Sequence, residues 1–91
     1  MATEYFEWDN GNTEHISRHN VTPDEAEEVF ADDAAIFLRS RSGRRIALGQ
    51  TGAGRYLTVV YERKNGGVIR VVTAFAMDKK SRRRYRHERR N

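Results

Sequence analysis

Residues 44–75 read RRIALGQTGAGRYLTVVYERKNGGVIRVVTAF, and their pattern decides the fold. Apolar and β-branched runs alternate with short glycine-rich breaks at Thr51-Gly52-Ala53-Gly54 and Asn65-Gly66-Gly67. The runs read as strands over 44–50, 55–63 and 68–75. Connections this short join antiparallel neighbours, and Asn65-Gly66 is the strongest hairpin signal in the chain. Leu57-Thr58-Val59-Val60-Tyr61 and Val68-Ile69-Arg70-Val71-Val72 are apolar at almost every position, as expected of central strands covered on part of both faces.

Upstream of this block, a strand over 35–41 joins the one at 44–50 through Ser42-Gly43 and completes a four-stranded meander. Thr22, Pro23 and Glu25 spell an N-cap, a first helical residue and the third position of a capping box, so a helix is predicted over Pro23–Ala31 with Ala26, Val29 and Phe30 facing inward. A weaker period predicts a short helix over Thr13–His19 that turns Ile16 inward, after a turn at Asp9-Asn10-Gly11-Asn12. Tyr5-Phe6-Glu7-Trp8 reads as one more short strand.

Downstream, Asp78 to Arg90 has good helix formers and one large apolar anchor, Tyr85. Two forms are open for it: a short helix docked through Tyr85, or a frayed basic tail. Together these readings predict one α+β domain over residues 1–91. It has a four- to five-stranded antiparallel sheet, two N-terminal helices and a basic C-terminal segment, 78–91, expected as a short helix.

Charge is unevenly spread. Residues 1–33 hold ten acids against Arg18, residues 34–77 hold eight bases against Glu62, and residues 78–91 hold eight bases against Asp78 and Glu88. A basic two-thirds of this kind points to a polyanion or an acidic protein as partner. The absence of cysteine excludes disulfides and thiolate metal sites. No stretch approaches the roughly 20 apolar residues of a membrane span, and the first residues lack the pattern of a signal peptide, so a cytoplasmic location is expected.

The candidates for chemistry are few. His15 and His19 have the i, i+4 spacing of paired helix ligands, but no glutamate of the metalloprotease pattern and no third ligand accompany them, so they read as surface histidines. The glycines at 49–54 lack the lysine and the strand-to-helix context of a phosphate loop. Neither metal nor cofactor is therefore expected. What remains is the chemistry that cationic and histidine side chains perform unaided; cleaving RNA in this way would require deprotonating a 2′-hydroxyl, stabilising the phosphorane and protonating the leaving oxygen. Arginine suits the second task through its paired, permanently charged donors. Histidine, glutamate or tyrosine suits the others. Trp8, Tyr56, Tyr61 and Tyr85 offer rings for base stacking, although core packing is their ordinary role.

The succession Phe6-Glu7-Trp8-Asp9, Arg18-His19, Asp24 to Phe30, Arg45 to Gly49, Gly54-Arg55 with Val59-Val60-Tyr61, and Arg82-Arg83-Arg84-Tyr85 resembles the BrnT toxins over nearly the whole chain. That resemblance implies a RelE-like fold and a ribonuclease that blocks translation. It also implies a cognate antitoxin as partner, with operator DNA reached only through the toxin–antitoxin complex. Two positions depart from the family pattern. Asn20 stands where a glycine is usual, and the last strand ends Thr73-Ala74-Phe75 where relatives commonly end Ser-Ala-Arg.

On this reading the expected catalytic residues are His19 for proton transfer, Arg55 and Arg70 as phosphate ligands, and Tyr61 as an orienting or stacking group. Arg44, Arg45, Lys79, Arg82, Arg83 and Tyr85 are expected to bind RNA. Glu62 is the alternative base, and strand alternation puts it on the opposite face from Tyr61. Two rival readings are a module that binds nucleic acid without cutting it and an inactive homologue that receives an acidic antitoxin.

Overall fold

The computed structural model describes residues 5–89. The elements run β1 (Tyr5–Glu7), α1 (Asn10–Ser17), α2 (Pro23–Ala31), β2 (Ile36–Arg39), β3 (Arg45–Gln50), β4 (Tyr56–Arg63), a 3-10 turn at Asn65–Gly67, β5 (Val68–Ala76) and α3 (Lys79–Arg89). The sheet order is β1-β5-β4-β3-β2. The expected meander is present, since β2, β3, β4 and β5 pair antiparallel in sequence order. The sheet as a whole is mixed, because β1 joins β5 in parallel, Tyr5 beside Val68 and Glu7 beside Arg70. No local signal fixes the direction of so short a strand, whose partner lies some sixty residues away.

α2 begins and ends where its sequence predicts. Thr22 Oγ1 accepts from the Glu25 amide at 3.2 Å and Glu25 returns the bond to the Thr22 amide at 3.0 Å. α1 begins at Asn10, inside the expected turn, because Asp9 and Asn12 form a capping box of their own. Asn12 Oδ1 accepts from the Asp9 amide at 2.9 Å, and its Nδ2 donates to the carbonyls of Glu7 and Val71 at 2.9 and 3.0 Å. One buried amide thus ties the start of α1 to β1 and to β5. The helix stops at Ser17, two residues early, and Asn20 then takes a left-handed φ of 60°, which asparagine tolerates better than most residues.

α2 lies against the face of the sheet formed by Ala47, Gly49, Leu57, Val59 and Tyr61, and Ile16, Val21, Ala26 and Val29 complete that core. The approach is close. A Cβ on Gly49 would stand 2.8 Å from Val29 Cγ1 and 3.0 Å from the Val29 carbonyl oxygen, so glycine is required there.

A second cluster, Leu48, Met77 and Tyr85 with Ile36, Ile46 and Tyr56, sits on the other face under α3. Of the two forms open for the C-terminal segment, the docked helix is the one observed; its expected end at Arg90 lies outside the described residues. Tyr85 is buried, and its hydroxyl donates to Asp32 Oδ2 at 2.6 Å. Asp32 also accepts from the amides of Gln50 and Ala34, so the residue ending α2 holds β3 and α3 as well. Among the described residues, no helix is long and apolar enough to cross a membrane.

Candidate functional site

Alternation along β4 turns Leu57, Val59 and Tyr61 toward α2 and Tyr56, Thr58, Val60 and Glu62 toward the opposite, more open face. On β5 the partners of Thr58, Val60 and Glu62 are Phe75, Thr73 and Arg70. Val60 faces Thr73 while Tyr61 faces Val71, which leaves Val72 as an extra residue on β5. Strict alternation from Phe75 and Thr73 would bring Val71 to the open face and send Arg70 to the helix side. The bulge reverses this assignment: Val71 enters the core, and Arg70 comes to lie opposite Glu62.

Around Arg70 the open face forms a concavity of about 300 Å³ that His15 of α1, Arg44, Glu62 and Arg70 line together. Its charge is set by a small network. Arg70 Nη1 lies 2.9 Å from Asp9 Oδ2 and 3.1 Å from Glu7 Oε1, and Lys64 Nζ lies 2.9 Å from the same Glu7 oxygen. The Lys64 hydrogen bond, then that of Arg70, holds the Glu7 carboxyl below its ordinary value. The Arg70 hydrogen bond does the same for Asp9, and Asp9 and Glu7 in turn raise the guanidinium of Arg70. Arg70 is therefore a permanent cation held in place by two carboxylates.

From His15 the aromatic groups continue along the same wall. The His15 and His19 ring centroids are 5.9 Å apart, and His19 meets Phe75 edge-on at 6.0 Å. The site thus joins two imidazoles, a carboxylate and two guanidiniums on a surface open to a ligand. That set can hold a phosphate, accept one proton and deliver another. Among the described residues, no group of three histidine, aspartate or glutamate side chains is placed to hold a metal ion.

The structure divides the residues singled out from the sequence. His19, Arg70 and Arg44 lie along this open surface. Arg55 turns to the helix side, where its Nη1 donates to both Glu25 oxygens at 2.9 Å and to the Asn20 carbonyl at 2.7 Å. It fastens the loop that carries His19 to the N-terminus of α2. Burial works to raise the Glu25 carboxyl, but the Arg55 hydrogen bond and the capping amide of Thr22 outweigh it and leave it lowered. Tyr61 is 3% exposed and packs edge-on against Phe30 at 4.9 Å. Arg45 pairs with Tyr61 in the sheet, and with Arg44 it borders a second hollow by the β2–β3 turn.

On α3, Lys79, Arg82 and Arg83 share an open basic hollow of about 630 Å³ with Arg86, while Tyr85 is turned into the core. The Arg82 and Arg86 guanidiniums stand over the Tyr56 ring at 4.7 and 5.5 Å. His15 joins the site although its sequence reads as surface. The i, i+4 spacing with His19 was the available signal, and it places both rings along one wall of the site.

The sequence profile of the family described as ribonuclease toxin, BrnT, of type II toxin–antitoxin systems matches residues 8–81. No curated protein matches the chain. The matched span contains α1, α2 and the strands β2 to β5, and so every residue of the concavity around Arg70.

Proposed function

This chain belongs to the BrnT family of ribonuclease toxins of type II toxin–antitoxin systems, and on that premise we propose that the concavity around Arg70 is where it cuts RNA, without a metal. The observation that carries the reading is the convergence of His15, Arg44, Glu62 and Arg70 in one hollow on the open face, with His19 next to it.

In this mechanism Arg70 and Arg44 hold the non-bridging oxygens of the scissile phosphate. His15 takes the proton of the adjacent 2′-hydroxyl, whose oxygen attacks phosphorus. His19 gives a proton to the departing 5′-oxygen. One P–O bond forms and one breaks, leaving a 2′,3′-cyclic phosphate and a 5′-hydroxyl. Fixed cations matter most at the phosphorane, where the extra negative charge develops. Glu62 is the other group able to take the first proton.

The family assignment brings with it a protein antitoxin as partner. We place the toxin in the cytoplasm, with translation as the process it stops and operator DNA as a ligand of the toxin–antitoxin complex only. The basic hollow on α3 gives that complex and the RNA backbone a common cationic surface.

The test is expression of the protein alone in bacterial cells, with total RNA followed beside growth, and cleavage of an oligoribonucleotide by purified protein in excess chelator. Growth arrest and chelator-resistant cleavage are expected, with cyclic-phosphate ends. Arg70→Ala should lower kcat by about 10²- to 10³-fold, the range seen when a donor to a developing oxyanion is removed, and His15→Ala by about 10²- to 10⁴-fold, the range for a general base. Wild-type rates from both variants, or cleavage abolished by chelator, would sink the proposal.

A further inference from the structure

Phe75 is an exposed aromatic near the C-terminal end of β5, still paired with β4. Its relative exposure is 37%, although its β4 partner Thr58 is buried. Solitary exposed apolar residues are ordinary on protein surfaces. What sets this ring apart is its company. On one side stands His19, edge-on at 6.0 Å. On the other, diagonally across the β4–β5 pair, stands Tyr56 with the Arg82 and Arg86 guanidiniums over it. Diagonal neighbours on one sheet face lie within reach of aromatic and long side chains. Phe75 is therefore an apolar ring set between an imidazole and a pair of guanidiniums, a combination suited to single-stranded nucleic acid: charge for its backbone and a flat surface for a base.

We infer that Phe75 is a stacking platform for one unpaired base of the RNA, the base on the 3′ side of the bond that is cut. This rests on the proposed roles of His15 and His19. The departing 5′-oxygen belongs to the nucleotide 3′ of the scissile phosphate, and the histidine assigned to that oxygen is the one touching Phe75. Arg70 holds the phosphate at one end of the surface, and the α3 arginines receive the backbone leaving at the other. A base held in a duplex cannot present its face to the ring. The enzyme accordingly selects single-stranded over paired RNA, and its discrimination is strongest at the 3′ neighbour.

Two measurements separate this inference from the catalytic reading. The first is steady-state cleavage of a single-site oligoribonucleotide, intact or with an abasic nucleotide on either side of the scissile bond, by wild type, Phe75→Leu and Phe75→Trp. Removing the ring or the 3′ base should raise KM by about 5- to 150-fold, the usual worth of one base–aromatic stack. Phe75→Trp should keep a near-native KM, and an abasic nucleotide on the 5′ side should matter little.

The second is fluorescence titration of Phe75→Trp with the same oligomer carrying a 2′-deoxy nucleotide at the scissile position, which cannot be cut. Phe75→Leu supplies the background from Trp8. Quenching by the intact oligomer, lost when the 3′ base is absent, is the expected result. Unchanged KM for Phe75→Leu together with no quenching overturns the stacking role even where cleavage is normal. Quenching without any cleavage by the wild type upholds the stack and removes the catalytic assignment.

Discussion

Replacing Arg55 by alanine should weaken the fold while sparing the chemistry. Arg55 makes a two-oxygen contact with Glu25 and a 2.7 Å bond to the Asn20 carbonyl. The two side chains are 36% and 23% exposed, so water screens part of the pair. An exposed ion pair is worth about 0.2–1 kcal/mol, and a hydrogen bond from a charged donor to a carbonyl adds about 1.5 kcal/mol when well shielded and less here. The sum is about 1–2 kcal/mol. For a chain of this size each kcal/mol moves Tm by about 4–8 °C.

Thermal unfolding of Arg55→Ala should therefore show a drop of roughly 4–16 °C. Because Arg55 fixes the loop that carries His19, some loss of kcat/KM is also expected, but under about tenfold when assayed well below Tm. Arg70→Ala removes the pairs to Glu7 and Asp9 and should lower Tm by a similar amount, but with a hundredfold or greater loss of kcat that Arg55→Ala does not show. An Arg55→Ala variant that retains its Tm and loses a hundredfold or more in kcat would overturn this structural role, for then the guanidinium acts on substrate.

Tyr85→Phe removes the 2.6 Å bond to Asp32 and should cost about 2 kcal/mol, as hydrogen bonds to charged groups do, lowering Tm by roughly 8–16 °C. An unchanged Tm would show that α3 is held by packing alone. The Glu7, Asp9 and Glu25 carboxyls are all lowered in the folded chain, so their contribution is complete above their ordinary values of 4.5 and 3.8 and is lost as pH falls through the lower folded values. Tm should be level above about pH 6 and fall steadily below about pH 4.5, and Arg55→Ala should fall less steeply. A flat curve down to pH 3 would contradict these ion pairs. Replacing Arg82, Arg83 and Arg86 together by glutamine should reduce the slope of log K against log salt for single-stranded RNA by about 2, at roughly 0.7 per phosphate contact; no change in slope would remove α3 from the RNA path.

Much of the fold was legible because its signals are local. Thr22, Pro23 and Glu25 define the start of α2 within four residues, and Asn65-Gly66 marks the β4–β5 turn. Tyr85 was identifiable as the anchor of α3 because nothing else large and apolar lies near it in sequence. The parts that could not be read are those decided by distant partners. Asn12 looks like a turn residue, and only the Val71 carbonyl reveals it as the bridge between α1 and β5. The Val72 bulge is invisible in an unbroken apolar run, yet it determines that Arg70 faces Glu62. Arg55 and Arg70 are alike as sequence features. One meets a helix-capping glutamate and the other a pair of carboxylates beside an open hollow, and only the tertiary structure separates them.

The distance in sequence between the parts of the site has a consequence for how the protein is made. His15 arrives early in synthesis, whereas Arg70 and Phe75 arrive late, and β1 has no partner until β5 has been translated. Domains generally fold as units once enough of the chain has left the ribosome, and pairings between distant segments form slowly. A nascent chain lacking β5 therefore lacks the hollow around Arg70, which can assemble only after β5 has left the ribosome and met α1 and β1.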